Sequence, residues 1–89
     1  MRVARRYLIS GRVQGVGFRY FTADAASREG ITGWARNLAD GRVEVVAEGE
    51  AEAVARFERV LRHGPPHAHV ENVDVTDELP IGAPGFGIR

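Results

Sequence analysis

Gly11, Gly15 and Gly17 fall within seven residues, and Arg19 follows two positions after the last of them. Glycine admits backbone conformations that other residues avoid, so such a run can turn successive main-chain N–H groups into one concavity. Where the run leaves a strand and enters a helix, the helix N-terminus adds partial positive charge, and the concavity suits an anion. Arg19 falls in the first turn of the expected helix, where the helix dipole disfavours a cation. A bound anion resolves that conflict, because the planar guanidinium fork matches phosphate oxygens. The rival phosphate motifs fail on particular residues. A Walker loop requires Gly-Lys-Ser/Thr where Val16-Gly17-Phe18 stands, and the dinucleotide-binding pattern requires glycine where Tyr20 stands. A cysteine-phosphatase loop requires a thiolate, and the chain has no cysteine. From spacing alone, a tight turn bearing a surface arginine still carries more weight than an anion cradle.

Other chemistries find less support. His67 and His69 share one face of a strand, but no third ligand accompanies them, so no metal site is expected. Asp74 and Asp77 do not form the Asp-x-Asp start of an aspartyl-phosphate enzyme. All 12 basic residues are arginine, so neither a Schiff-base lysine nor a phosphate-loop lysine exists. Those 12 are balanced by 12 acidic residues, which argues against nucleic acid as a partner. Trp34 is expected beside the site or in the core, and Arg12 and Arg36 as solvated side chains. The apolar stretch Tyr7-Leu8-Ile9 is too short for a leader or a membrane span. These features lead us to expect a soluble, cytoplasmic monomer.

The elements that must position these residues follow from periodicity. Arg6 to Gly11 reads as a strand and Gly11 to Gly17 as a loop. Phe18 to Glu29 carries Phe18, Phe21, Ala25 and Ala26 at helical spacing and stops at Gly30. Ile31 to Asn37 and Arg42 to Glu48 read as a hairpin around Asp40-Gly41, with Val43, Val45 and Ala47 on one face. Glu50 to His63 is a helix with the stripe Val54, Phe57, Val60 and Leu61, ended by Gly64-Pro65-Pro66. Ala68 to Val75 is a further strand whose alternation slips, which predicts a bulge near Asn72. Phe86 and Ile88 are candidates for a short closing strand. The order strand, helix, strand, strand, helix, strand predicts a ferredoxin-like α+β sandwich (βαββαβ). An antiparallel sheet with two helices on one face is expected, as one domain over residues 1–89, which is the size of a single compact unit.

Two longer runs carry a resemblance. Ile9-Ser10-Gly11-Arg12-Val13-Gln14-Gly15-Val16-Gly17-Phe18-Arg19 resembles the first signature of the acylphosphatase family throughout. Gly33-Trp34-Ala35-Arg36-Asn37, followed by Gly41, Val43 and Gly49, resembles the second. The resemblance covers essentially the whole chain and implies metal-independent hydrolysis of acyl phosphates to carboxylate and inorganic phosphate. It implies that Arg19 binds the phosphate and that Asn37 orients the attacking water. Val13, Gln14, Gly15, Val16, Gly17 and Phe18 then supply a backbone cradle.

The chemistry suits so spare a set of residues. A carboxylate leaves without being protonated, so no general acid is required, and the substrate's own phosphate oxygens can take the proton of the attacking water. Positioning and stabilisation of equatorial charge remain as the protein's tasks. No cofactor is implied, inorganic phosphate is the product and an inhibitor, and breadth toward the acyl group is expected. A phosphate-binding regulatory module without turnover and an RNA-binding domain are the alternatives, the second weakened by zero net charge and few sheet aromatics. The end of the chain at Arg89 favours a free-standing enzyme over a domain of a larger maturation protein, and its carboxylate is a candidate to approach Arg19.

Overall fold

The computed structural model describes residues 1–89. Strand β1 spans Arg2–Arg12, helix α1 Phe18–Glu29, β2 Thr32–Asn37, β3 Val43–Glu50, α2 Ala51–His63, β4 His69–Glu78 and β5 Phe86–Ile88. The strands form one sheet in the order β4-β1-β3-β2-β5. The ferredoxin-like α+β arrangement is therefore present, with a fifth strand at one edge.

One expectation needs correcting. The sheet is not wholly antiparallel: β5 runs parallel to β2, with Phe86 opposite Gly33 and Ile88 opposite Ala35. The cause lies in the connection. The segment after β4 leaves one edge of the sheet and must reach the other, so it arrives at β2 from the same end as β2 itself. This crossover, residues 79–85, is held by Glu48, whose carboxylate accepts the N–H groups of Ile81 (2.6 Å), Gly82 (3.0 Å) and Ala83 (3.3 Å).

Three strands also run further than their apolar patterns suggest. β1 begins at Arg2 because its polar half pairs with β3 on one side, Arg2 opposite Glu50, and with β4 on the other, Ala4 opposite Glu78. Main-chain pairing extends β3 and β4 through acidic residues for the same reason. The irregular alternation in β4 has the expected origin: Ser10 faces Asn72 while Gly11 faces Val70, so Glu71 is the extra residue of a bulge.

The core lies between one sheet face and the two helices. Tyr7 and Ile9 of β1, Ala35 of β2, and Val43, Val45 and Ala47 of β3 meet Phe18, Ala25 and Ala26 of α1 and Val54, Phe57 and Leu61 of α2. The stripe of α2 is as expected except that Ala53 is buried and Val60 only partly so. Phe57 sits between Tyr7 and Phe86, with ring centroids 6.3 Å from each, and truncating so central a ring costs about 3–5 kcal/mol. α2 ends at Gly64 and α1 at Gly30, where Ile31 N–H donates back to the Ala26 carbonyl at 2.9 Å. The first helix thereby hands the chain directly to β2, which carries Asn37.

Candidate active site

The glycine-rich loop runs from the end of β1 into α1 and is anchored in the core at both ends. Val13 and Phe18 are 1% and 2% exposed, and Val16 packs against the core between them. Between these anchors the backbone turns through Gly15 and Gly17, at φ +75° and +76°. These are left-handed conformations that cost other residues about 1–2 kcal/mol. Gly17 caps α1 with no side-chain hydrogen bond, and the first helical bond runs from Phe21 N–H to the Gly17 carbonyl at 2.9 Å. The N–H groups of Gln14, Gly15, Val16 and Gly17 donate to no protein acceptor, and those of the first helical turn lack helical partners by geometry. The result is a run of main-chain donors that the fold leaves free.

The loop is tied to the rest of the site by Gln14, whose role the sequence does not announce. Its Nε2 donates to the Leu38 carbonyl at 2.7 Å and to the Arg42 carbonyl at 3.0 Å. Those two carbonyls belong to the turn between β2 and β3, immediately after Asn37. The side chain thus fixes the spacing between loop and asparagine, while its main chain belongs to the loop.

Arg19 lies in the first turn of α1 and pairs with no Asp or Glu side chain. Its Nη1 donates to the main-chain oxygen of Arg89 at 3.0 Å, and Arg89 N–H in turn donates to the Ala35 carbonyl at 2.8 Å. The expected approach of the last residue to Arg19 is present as this contact. A guanidinium has five N–H donors, so one bond orients Arg19 without exhausting it. Asn37 ends β2 opposite Val43, is exposed, and spends its amide on no hydrogen bond within the chain. Its side chain thus satisfies no nearby backbone group.

The structure brings these residues together. Arg19 and Asn37 line one small cavity of about 130 Å³ with Val13, Gly15, Gly17, Phe18 and Tyr20. Gln14 and Val16, the other two loop residues singled out from sequence, are part of the same loop but do not line that cavity. Roomier hollows lie elsewhere, such as one of about 490 Å³ between Trp34 and the segment Ile81–Arg89, but none holds Arg19 or Asn37. The residues singled out from sequence thus meet in a small cavity rather than in a roomy one.

Behind the site, on the sheet face away from the helices, Glu44 is 2% exposed. Its two oxygens accept from Arg6 Nε at 2.5 Å and Arg36 Nε at 2.6 Å. Burial opposes its ionisation, but the hydrogen bonds and charges of Arg36 and Arg6 outweigh that and hold its carboxyl below the ordinary value. The clamp joins β1, β3 and β2 one residue before Asn37. Trp34 lies half-buried on the same face, with the guanidinium carbons of Arg89 and Arg36 4.5 and 5.2 Å from its ring centroid. Arg36 is therefore engaged rather than merely solvated. Nothing groups three or more His, Asp or Glu side chains where an ion would be held.

Known proteins resemble this chain in sequence and in fold. The acylphosphatase family model matches residues 5–88. The acylphosphatase of Rubrobacter xylanophilus is 55% identical over 94% of this chain and 77% of its own length. Among solved structures, the acylphosphatase of Bacillus subtilis superposes with a TM-score of 0.94 at 39% identity, covering 98% of each chain. That of Coxiella burnetii gives 0.95 at 35% identity, over 99% of this chain and 93% of its own. The fold, both sequence signatures and these relatives lead to one conclusion: the chain belongs to the acylphosphatase family.

Proposed function

We propose that this acylphosphatase hydrolyses its acyl phosphate in the cavity between the glycine-rich loop and Asn37, releasing a carboxylate and inorganic phosphate. The observation that carries the reading is the convergence of free main-chain donors, Arg19 and an uncommitted Asn37 amide on one cavity. The phosphoryl oxygens accept from the backbone between Val13 and Phe18 and from the Arg19 fork. Those donors are aimed before substrate arrives, so charge on the phosphoryl oxygens is stabilised without reorganisation.

Asn37 offers an acceptor and two donors and cannot act as a base near neutrality, so its part is to fix a water in line with the leaving carboxylate. The water oxygen bonds to phosphorus as the bond from phosphorus to the acyl oxygen breaks, and the electron pair departs on the carboxylate. The water's proton passes to a phosphoryl oxygen. No step asks for a general acid, and no Asp, Glu or His lines the cavity.

Hydrolysis of benzoyl phosphate by the purified protein, with and without a strong chelator, tests the reading. Turnover unchanged by the chelator is expected; phosphate binding with no turnover would favour a binding module instead. Asn37→Ala should lower kcat about 100-fold while inhibition by inorganic phosphate persists. A large loss of phosphate affinity in that variant would remove Asn37 from the water-positioning role. The reading extends to a monomeric cytoplasmic enzyme acting as one domain over residues 1–89. Its support is the balanced charge and the lack of cysteine. No helix is long and apolar enough to cross a membrane. Sedimentation of the purified protein checks the oligomeric state.

A further inference from the structure

The cavity that holds Arg19 and Asn37 is about 130 Å³, enough for a phosphoryl group but not for a large acyl group beside it. The acyl part of any substrate larger than acetyl phosphate must therefore lie outside, against whatever forms the rim. Gly15 and Gly17 have no side chains to offer. Val13 and Phe18 are turned into the core, 1% and 2% exposed. Arg19 and Asn37 are occupied with the phosphoryl group and the water. Tyr20 is what remains, and it is 68% exposed.

The fold makes no visible use of that ring. Tyr20 belongs to none of the aromatic pairs, which are Tyr7 with Phe57, Phe18 with Phe21, and Phe57 with Phe86. Its hydroxyl takes part in no hydrogen bond. Of the exposed large apolar side chains, Met1, Val75, Leu79, Ile81 and Ile88 all lie away from the cavity. An isolated exposed aromatic is unremarkable on a protein surface. One that belongs to the lining of a polar cavity, next in sequence to its arginine, is available to an apolar substituent that emerges there.

We propose that Tyr20 is a specificity-determining residue, an apolar shelf on which the acyl group rests, so that aromatic acyl phosphates are favoured over acetyl phosphate. The proposal rests on the assignment of the cavity to the phosphoryl group. It refines the breadth expected from sequence: any acyl group is admitted, but a ring that can stack on Tyr20 is held longer. Because the contact is made outside the cavity and does not strengthen as phosphorus reacts, it acts on KM rather than kcat.

The test compares benzoyl phosphate with acetyl phosphate in the wild type, Tyr20→Ala and Tyr20→Phe, with the inhibition constant for inorganic phosphate measured alongside. In Tyr20→Ala the ratio of kcat/KM for benzoyl over acetyl phosphate should fall about fivefold, through KM for benzoyl phosphate. Tyr20→Phe keeps the ring and should keep the ratio. An unchanged ratio in Tyr20→Ala overturns the shelf, as does an equal loss on both substrates accompanied by weaker phosphate inhibition, which would place Tyr20 on the phosphoryl group. Loss of the ratio in Tyr20→Phe overturns it too, since the hydroxyl would then be the contact. A wild-type protein inactive on both substrates overturns the assignment of the cavity itself, a failure distinct from the other three.

Discussion

Two loops of this molecule solve the same physical problem with opposite ends in view. Residues 13–17 and residues 81–83 each present consecutive main-chain N–H groups outside any strand or helix with the help of a left-handed glycine, Gly17 at φ +76° in one and Gly82 at φ +73° in the other. In the crossover the anion is built in: Glu48 takes the donors of Ile81, Gly82 and Ala83 and is only 1% exposed. In the glycine-rich loop no protein group takes them. The same kind of donor run is thus a fastening where the chain supplies the carboxylate and, on the proposed reading, a binding site where it withholds one. Arg2 stands 3.8 Å from Glu48, in the supporting part proposed for Arg19 toward the phosphoryl group.

The comparison breaks most sharply at the arginine. Arg19→Ala should lower kcat/KM by 100-fold or more, about 3 kcal/mol of transition-state stabilisation, and abolish phosphate inhibition while the urea midpoint barely moves. Near-normal kinetics would mean that the loop does not hold the phosphoryl group. Glu48→Ala should show the converse, a stability loss of about 2 kcal/mol from three deprived N–H groups with kcat/KM changed less than about threefold. A catalytic defect as large as that of Arg19→Ala would show that the crossover is part of the site rather than its support.

Smaller effects sharpen the contrast. A Cβ added at Gly17 or at Gly82 meets nothing within 4 Å, so alanine at either position tests conformation alone, at about 1 kcal/mol. Gly17→Ala should show chiefly as weaker phosphate inhibition, and Gly82→Ala chiefly as a lower melting temperature. The mildest test is acid. Donation from Ile81 N–H, opposed by burial and reinforced by Gly82, Ala83 and Arg2, holds the Glu48 carboxyl below its usual 4.5. A depressed folded pKa gives stability that is complete above the unfolded value and is lost as pH falls through the folded one. The wild type should therefore lose stability below about pH 4.5, and Glu48→Gln should flatten that part of the profile. An identical slope in the variant would remove Glu48 from the acid response.

What could be read from the sequence is what is encoded locally. The glycine run, Arg19 and the strand ending at Asn37 announce themselves within short stretches, and helical spacing places α1 and α2 to within a residue or so. Glu44 and Glu48 did not, because strand alternation assigns both to the face away from the core. Arg6 and Arg36 cover the first and the crossover covers the second, and neither is a neighbour in sequence. The Gln14 amide reaches carbonyls 24 and 28 residues away, which no local pattern reports. Three residues of β5 declare a strand but not its direction, which is set by the path the crossover takes from the opposite edge.

That path also decides which strand is left at the far side of the sheet. β4 pairs only with β1, and its outer row of main-chain donors and acceptors is open to any passing extended chain. Along it stand Glu71, Asp74, Asp77 and Glu78, all exposed, beside a bulge that bends the strand. Two copies meeting edge to edge would bring eight carboxylates together, so the molecule guards its longest free margin against self-recruitment by charge and curvature. At the opposite margin no such guard is needed, since β5 offers a neighbour only three residues to grip.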